Sequence, residues 1–483
     1  MSTDTFTPAL VEFADAGKDK FNERLSVEAF LAEQKVRTQG DVWFVWDGKA
    51  WIRRDRVSYF PAALEILSQQ NCCARHADTI IRHVEMKQQL RPGEEMRGAI
   101  AFESPNVVLI NVQNGVLRVT ASSVTLGPHN ADLMFTGVLA TPWIEGETAP
   151  NFMQVLQKAL PPDPDGTTHD RGVLQWYSGY LLYPSCEKHE LFLICYGPSG
   201  TGKSTIGEAI CAVLGEEPMV TSLTLSQLCA GEKAYSLPNL RRAIVNMGTE
   251  LDTVDVDDAS GLKRIVSGEP VEARGIYDRP FTMRSTAKLW FNANDLPRFK
   301  HGTDAELRRA RFLHFDQKPK CPDCEGRGWN EDHVGTRTEC SRCGGKGIYR
   351  DRSYKGPTGL LAQERPGILA WMIAGLQEVL AGVECPEGGV KSAAVKAQFA
   401  VSNDPVCAFF ADRLRQDPNG QVLKSEVLDE FRSFMDHRGF PAKSIEVLFR
   451  VLYQRFPFIK PTRRRDGHRG FDNCLSGISL RDE

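Results

Sequence analysis

The segment Gly197-Pro198-Ser199-Gly200-Thr201-Gly202-Lys203-Ser204, followed by Thr205, sets glycines, a lysine and a hydroxyl at the spacing G-x-x-x-x-G-K-[ST]. Residue types in that order suit one task, the holding of a nucleotide's phosphates. Glycines let successive backbone N–H groups curl around an anion, and a helix that starts at the lysine adds the positive end of its dipole. Lys203 neutralises the outer phosphates, and Ser204 offers an oxygen to Mg2+. The run "ELFLICY" before the loop reads as a buried strand, and Ile206, Ala209, Ile210, Val213 and Leu214 after it recur on one helical face. Strand, loop and helix form the context the motif needs, so ATP with Mg2+ is the expected ligand.

Three later stretches carry groups able to act on such a ligand. In "RRAIVNMGTELD" an apolar strand over Ala243 to Met247 delivers Glu250 and Asp252 to the carboxyl edge of an open α/β sheet, where ligands sit. A carboxylate there holds magnesium through water and activates the water that attacks a γ-phosphate. A strand ending in acids is also the ordinary form of a solvated turn. In "AKLWFNANDLP" a second strand ends at Asn294, whose amide either orients that water or caps the turn before Leu296-Pro297. In "GTDAELRRARFLHF" Arg308 and Arg309 end a short helix begun by Thr303 or Asp304. A guanidinium reaching a neighbouring subunit's nucleotide is an arginine finger, although adjacent arginines are more often a solvated face.

A second chemistry is written in cysteine. Of thirteen cysteines, four form tight pairs, Cys321 and Cys324 in "CPDCEGRG" and Cys340 and Cys343 in "CSRCGGKG", with fifteen residues between the pairs. Four thiolates at this spacing fit a closed, structural zinc site, and the glycines after each pair permit knuckle turns. The pattern resembles the zinc region of DnaJ-type co-chaperones, with only two copies and no DnaJ-type helical domain. His333 lies between the pairs and is read as a spare. The odd count and scatter of the rest argue for reduced thiols instead of a disulfide framework.

These groups need a large scaffold, and 483 residues allow two to four domains. Composition is that of a globular protein, 41% apolar and 25% charged, and a net charge of -3 excludes a global attraction to nucleic acid. The stretch "PGILAWMIAGLQEVLAGV" at 366 to 383 is interrupted by Gln377 and Glu378 and reads as a packed helix, and the N-terminus lacks signal-peptide character. A cytoplasmic protein without membrane contact is expected. Residues 1–185 alternate strands ("DVWFVWDGKAWIRR", "VVLINVQNGVLRV") with helical stretches ("YFPAALEILSQQ", "NFMQVLQKAL"), an α+β pattern; "PPDPDGTTHD" is a surface loop. Residues 186–317 read as an α/β unit, 318–350 as the zinc insertion, 351–396 as its helical sequel, and 397–483 as helices ("CAFFADRLRQ", "SEVLDEFRSFMDHRG", "SIEVLFRVLYQRF") before a basic hairpin.

The order "GPSGTGKST", "AIVNMGTELD", "LKRIVSGEPVEARGIYDRPF", "KLWFNANDLP" and "AELRRARFLHF" resembles the superfamily 3 helicase domain, in the branch of phage and plasmid primase-helicases and the poxvirus nucleoside triphosphatase-primase. "INVQNGVLRV" and "YSGYLLYP" resemble that family's N-terminal helper domain, "ERPGILAWMIAGL" its C-terminal part, and the tail its winged helix. The resemblance implies a multidomain protein: an AAA+ type α/β P-loop ATPase, usually hexameric, that moves on single-stranded DNA and opens forked DNA, here with an inserted zinc knuckle. It makes Glu250 the acid of the second nucleotide motif, Asn294 the sensor, and Arg308 or Arg309 the finger. "GEPVEARGIYDRPFTM" becomes a hairpin in the central channel, with Lys263, Arg274, Tyr277 and Arg279 gripping phosphates and stacking on bases. Arg463, Arg464 and Arg465 lie in a tail with five Lys/Arg against one Asp between 460 and 470, suited to phosphate backbone. The N-terminal region shows no carboxylate pair of the kind polymerisation needs, so priming would fall to a separate primase or other replication partner. An origin-binding helicase loader without unwinding activity is the alternative, and a protein-remodelling ATPase a third reading.

Overall fold

The computed structural model describes residues 21–481 except 70–73, 231–234, 249–254, 257, 276–279, 300–303, 332–336, 349–351, 357, 439–444 and 467–469. The chain begins with α1 (Glu23–Glu33), a three-stranded sheet of β1 (Val36–Gln39), β2 (Val42–Trp46) and β3 (Trp51–Arg54), then α2 (Phe60–Gln69) and α3 (Ala77–Gln88). The alternation in "DVWFVWDGKAWIRR" becomes antiparallel pairing, with Trp46 opposite Trp51 and Phe44 opposite Arg53. Trp43 is fully buried with Phe30, Tyr59 and Ile80, and its indole N–H donates to Glu85 at 3.0 Å. An antiparallel meander follows, β4 (Ile100–Ser104), β5 (Val107–Val112), β6 (Gly115–Val119) and β7 (Val124–Gly127), then α4 (Pro150–Ala159) and α5 (His169–Leu181).

The central unit contains β8 (Phe192–Tyr196), α6 (Lys203–Leu214), β9 (Val220–Thr221), α7 (Leu225–Cys229), β10 (Val245–Gly248), β11 (Asp255–Val256) and α8 (Ser260–Val266). It continues through β12 (Val271–Ala273), β13 (Phe281–Met283), β14 (Lys288–Ala293), β15 (Arg298–Phe299), α9 (Asp304–Arg309) and β16 (Ala310–His314). Five strands form one parallel sheet in the order β16-β8-β14-β10-β9. Helices cover such a sheet on both sides, which is why its strands read as unbroken apolar runs: every residue of β14 is buried. Lys288 is among them, its ammonium donating to the carbonyls of Tyr183 and Thr286. Because the chain passes from β14 to the far side of β8 to make β16, β8 stands at a reversal of strand order, the place where an open α/β sheet leaves a crevice at its carboxyl edge.

After β16 come β17 (Trp329–Glu331), β18 (Arg337–Glu339), α10 (Leu360–Gln363), α11 (Arg365–Leu380) and α12 (Val390–Asn403). The chain ends with α13 (Pro405–Arg413), β19 (Leu414–Leu423), α14 (Lys424–Arg438), α15 (Ile445–Arg455), β20 (Lys460–Asp466) and β21 (Gly470–Leu480). The helix expected over "CAFFADRLRQ" stops at Arg413, and Leu414 opens a strand that the sequence reading missed. The cause is tertiary: Leu414 pairs with Leu480 and is fully buried against the tail's own core. Asp404 caps the start of α13, accepting from the N–H groups of Val406 and Cys407.

The architecture is thus multidomain α/β, and its largest core joins distant parts of the chain. Leu156, Trp176 and Tyr177 share it with Ile206 and Ile210 of α6 and with Met372 and Leu376 of α11, so the core runs across residue 185. Glu364 satisfies the first N–H groups of α4, accepting from Asn151 and Phe152 at 2.9 Å each. The loop at 161–170 is likewise tied down, Asp170 accepting from Gly389 N at 2.8 Å and Ser392 Oγ at 2.9 Å. No helix among the described residues is long and apolar enough to cross a membrane.

Helices α5 and α11 meet backbone to backbone. A Cβ on Gly375 would lie 2.2 Å from the Gln175 carbonyl oxygen, and one on Gly179 would lie 2.1 Å from the Gly375 carbonyl carbon. We therefore expect Gly375→Ala to cost about 1–3 kcal/mol through forced separation of the helices. Urea unfolding measures it, and an unchanged midpoint would show that the contact is not tight.

Candidate functional site

The glycine loop emerges where three strands converge. Gly197 N donates to the Ala293 carbonyl at 3.1 Å, and Phe315 N donates to the Tyr196 carbonyl at 2.7 Å, so the ends of β14 and β16 clasp the end of β8. Gly197 has φ of 144°, and a Cβ on it would stand 2.0 Å from the Phe315 oxygen; only glycine fits. Gly202 has φ of 102° and leads into α6, whose N-terminus opens at the loop. Thr201 is buried and its hydroxyl donates to the Pro198 carbonyl at 2.9 Å, bracing the turn from inside. Pro198, Ser199 and Ser204 are exposed, while Gly200 and Thr205 are half-buried. The loop thus presents an open concave backbone at a helix N-terminus, the form in which backbone N–H groups receive an anion.

Lys203 and Asn294, ninety-one residues apart, come together here. The Lys203 ammonium, 6% exposed, donates to the Gly197 carbonyl, to the Pro198 carbonyl at 2.9 Å and to Asn294 Oδ1 at 3.2 Å. Burial holds its pKa below the ordinary lysine value, the direction expected for a charge lacking a counter-anion. Strand β10 lies beside β14 in parallel, with Gly248 opposite Phe291, so its carboxyl end reaches the same edge. Glu250 and Asp252, which follow it in sequence, lie outside the described residues. Asn246 of β10 is fully buried and joins Thr221 and Leu223, with Leu223 N donating to Asn246 Oδ1 at 2.7 Å. That polar clasp braces the strand and had no signal in the sequence.

The paired arginines stand at the other end of the sheet. Ala310 is opposite Phe192, so Arg308 and Arg309 lie at the amino edge, about 16 Å from the glycine loop for five strand residues. They are not equivalent. Arg309 is 13% exposed and donates to Glu190 Oε2 at 2.7 Å and Ser267 Oγ at 3.1 Å. Arg308 is 73% exposed, with Glu190 at 3.9 Å. Glu190 and Ser267 are partners that sequence reading missed, since separations of 119 and 42 residues leave no local pattern.

Strands β12 and β13 form the expected antiparallel hairpin, with Ala273 opposite Phe281. Tyr277 and Arg279, which come between the two strands in sequence, lie outside the described residues, as do Thr303 and His333. Lys263 is half-buried on α8, and Arg274 is exposed beyond β12 with its guanidinium 5.5 Å from the ring of Tyr235. Tyr235, 54% exposed, is another residue the sequence reading missed. Arg463, Arg464 and Arg465 lie on β20, paired with β21, and Arg463 is exposed.

The four cysteines converge. Their sulfurs lie within 4.8 Å of one another, with Cys321 to Cys340 at 3.8 Å and Cys324 to Cys343 at 3.7 Å. A tetrahedron with sulfurs about 2.3 Å from zinc has edges of about 3.8 Å, whereas a disulfide needs about 2 Å. Gly328 N and Gly347 N donate to the sulfurs of Cys324 and Cys343 at 3.2 and 3.3 Å, the bonds that stabilise thiolate ligands. The two copies also pack reciprocally, Gly328 against the Gly345 carbonyl and Gly347 against that of Gly326, each too close for a Cβ. The cluster can hold zinc, and it is the segment's own buried core among the described residues.

Comparison with known proteins adds two findings. Residues 195–309 match a family of unknown function (DUF5906). The A form apo structure of the NrS-1 C-terminal region is similar at 10% identity and a TM-score of 0.50, over 94% of this chain and 99% of that one. A second apo structure of the same region is similar at 11% identity and a TM-score of 0.50, over 95% and 100%. Likeness at that identity speaks to fold alone: the chain shares the architecture of that region across nearly its whole length.

With so little apolar core of its own, the cysteine segment should depend on metal. Elemental analysis should find one zinc per chain. Cys321→Ser with Cys324→Ser should remove it and expose residues near 322–346 to proteolysis; a metal-free chain resistant there would refute the site.

Proposed function

We propose that the chain is an ATP-dependent DNA helicase serving replication of a phage, plasmid or other mobile element, working as a six-membered ring in keeping with its resemblance to superfamily 3. The carrying observation is the separation of chemistry between two edges of one sheet. The glycine loop, Lys203 and Asn294 meet at the carboxyl edge, while Arg308 and Arg309 stand at the amino edge. An arginine about 16 Å from its own loop can serve only a nucleotide held by another copy, which is the logic of an ATPase that works between subunits. The parallel order β16-β8-β14-β10-β9 and the likeness of the motifs to AAA+ type motors support the same reading.

In this proposal the loop from Gly197 to Thr205 holds the phosphates, and Lys203 turns from the carbonyls it now meets to the outer phosphate oxygens. Ser204, with Glu250 and Asp252 through water, would hold Mg2+, which supplies charge neutralisation across the outer phosphates. Glu250 accepts a proton from the attacking water as its oxygen bonds to the γ-phosphorus. The bond to the bridging oxygen breaks, leaving ADP and inorganic phosphate. Asn294 orients that water through its amide. A neighbour's arginine offsets the charge spread over the phosphoryl oxygens. Of the two candidates, exposed Arg308 is the better finger, because Arg309 is already committed to Glu190 and Ser267. The hairpin β12–β13, with Lys263, Arg274, Tyr277 and Arg279, would grip the strand. The helices and hairpin of residues 397–483 form a winged-helix-like unit whose Arg463, Arg464 and Arg465 track the backbone.

Lys203→Ala should abolish ATP hydrolysis. Arg308→Ala should retain nucleotide binding and lose turnover by about 10³-fold or more, whereas Arg309→Ala should mainly lower thermal stability. Full turnover in Arg308→Ala with loss in Arg309→Ala would reverse that assignment. The decisive measurement is ATPase activity with and without single-stranded DNA beside unwinding of a tailed duplex. DNA-dependent assembly without strand displacement would support the helicase loader instead, and hydrolysis indifferent to DNA would end the motor reading.

A further inference from the structure

A basic surface to which no role has yet been assigned adjoins the hairpin. Arg53 on β3, Arg241 at the end of the turn Leu237–Arg241, and Arg242 just after it are all exposed. None has a carboxylate partner among the described residues, whereas nearby Arg56 is paired with Asp78 at 2.8 Å and Glu85 at 2.7 Å. Burial, then the charges of Arg53 and Arg241, hold the Arg242 pKa below the usual value, so three like charges share one neighbourhood although 188 residues separate the first from the second. Their base is rigid: Leu237 and Leu240 are buried at 1% and 0% exposure. Charge with no carboxylate partner among the described residues, in a chain of net charge -3, is a local cost that an anion relieves.

The surface is continuous with the hairpin. Arg241 lies 5.5 Å from the ring of Phe281 on β13, and Tyr235 of the same segment meets Arg274 beyond β12. Arginines interleaved with aromatics suit a single strand held by backbone charge and stacking. The geometry points to Arg53, Arg241 and Arg242 as a second phosphate-binding surface, on which the backbone of single-stranded DNA rides beside the hairpin. The inference rests on the DNA-motor reading, and it gives the N-terminal sheet a part in strand binding through Arg53.

The test is fluorescence anisotropy of the full chain with a labelled oligothymidylate across a salt series. Replacing all three arginines by glutamine should make the slope of log K against log salt shallower by about 2 and weaken binding about a hundredfold at 0.1 M salt, for three lost contacts at about 0.7 each. Replacing them by lysine should keep the slope, and thermal midpoints of both variants should match the parent, which separates lost charge from lost fold. An unchanged slope in the glutamine variant overturns the surface while leaving the motor reading intact. A parent chain that binds no oligonucleotide ends both. Retained DNA slope with lost binding of a polyglutamate peptide would assign the surface to an acidic protein and overturn the inference.

Discussion

Only glycine fits at residue 197, because the Phe315 carbonyl passes 2.0 Å from where a Cβ would be. That approach is possible because β8 is hydrogen-bonded on both sides, to β14 and to β16, and all three strands release the chain at one edge. The clasp aims the first backbone groups of the loop outward and seats Gly202 at the mouth of α6. It also fixes which residues face the loop: the strand on one side ends at Asn294, and the strand on the other begins just after Arg309. One packing constraint therefore determines both what meets Lys203 and what is kept away from it.

The consequence is a separation, along the strands of a single sheet, of the groups proposed to act on the nucleotide. The groups proposed for phosphate chemistry lie at the carboxyl edge, where a helix N-terminus and the buried Lys203 ammonium bring positive charge together. The amino edge carries the exposed cation of Arg308. Strand β14 connects the two, since it ends beside the loop and begins a few residues after β13. In the proposed motor, that strand is the element through which a shift of Asn294 on a bound phosphate would reach the hairpin.

Much of this was readable in order and spacing. The loop motif, the strands ending at Met247 and Asn294, the hairpin and the doubled cysteine pairs each depend on contacts within a few residues, and local pattern carries such information. Other features were invisible for the opposite reason. Leu414–Gln416 looks helical until Leu480 is beside it. Arg309 looks like Arg308 until Glu190, 119 residues earlier, claims it. Arg53 carries no motif at all and enters only through its charge acting on Arg242, 189 residues further along the chain.

Residue types and short spacings alone determined that this chain has a glycine loop shaped for phosphates and a cysteine set matched to zinc, because in both cases the ligating geometry is built within single turns. Tertiary structure alone decided that Arg309 is held by Glu190 and Ser267 while Arg308 stays exposed, that the Asn294 amide faces Lys203, and that Arg53, Arg241 and Arg242 have no carboxylate partner among the described residues. Those outcomes depend on the distance between residues far apart in the chain, and burial and electrostatic partnership are properties of that distance.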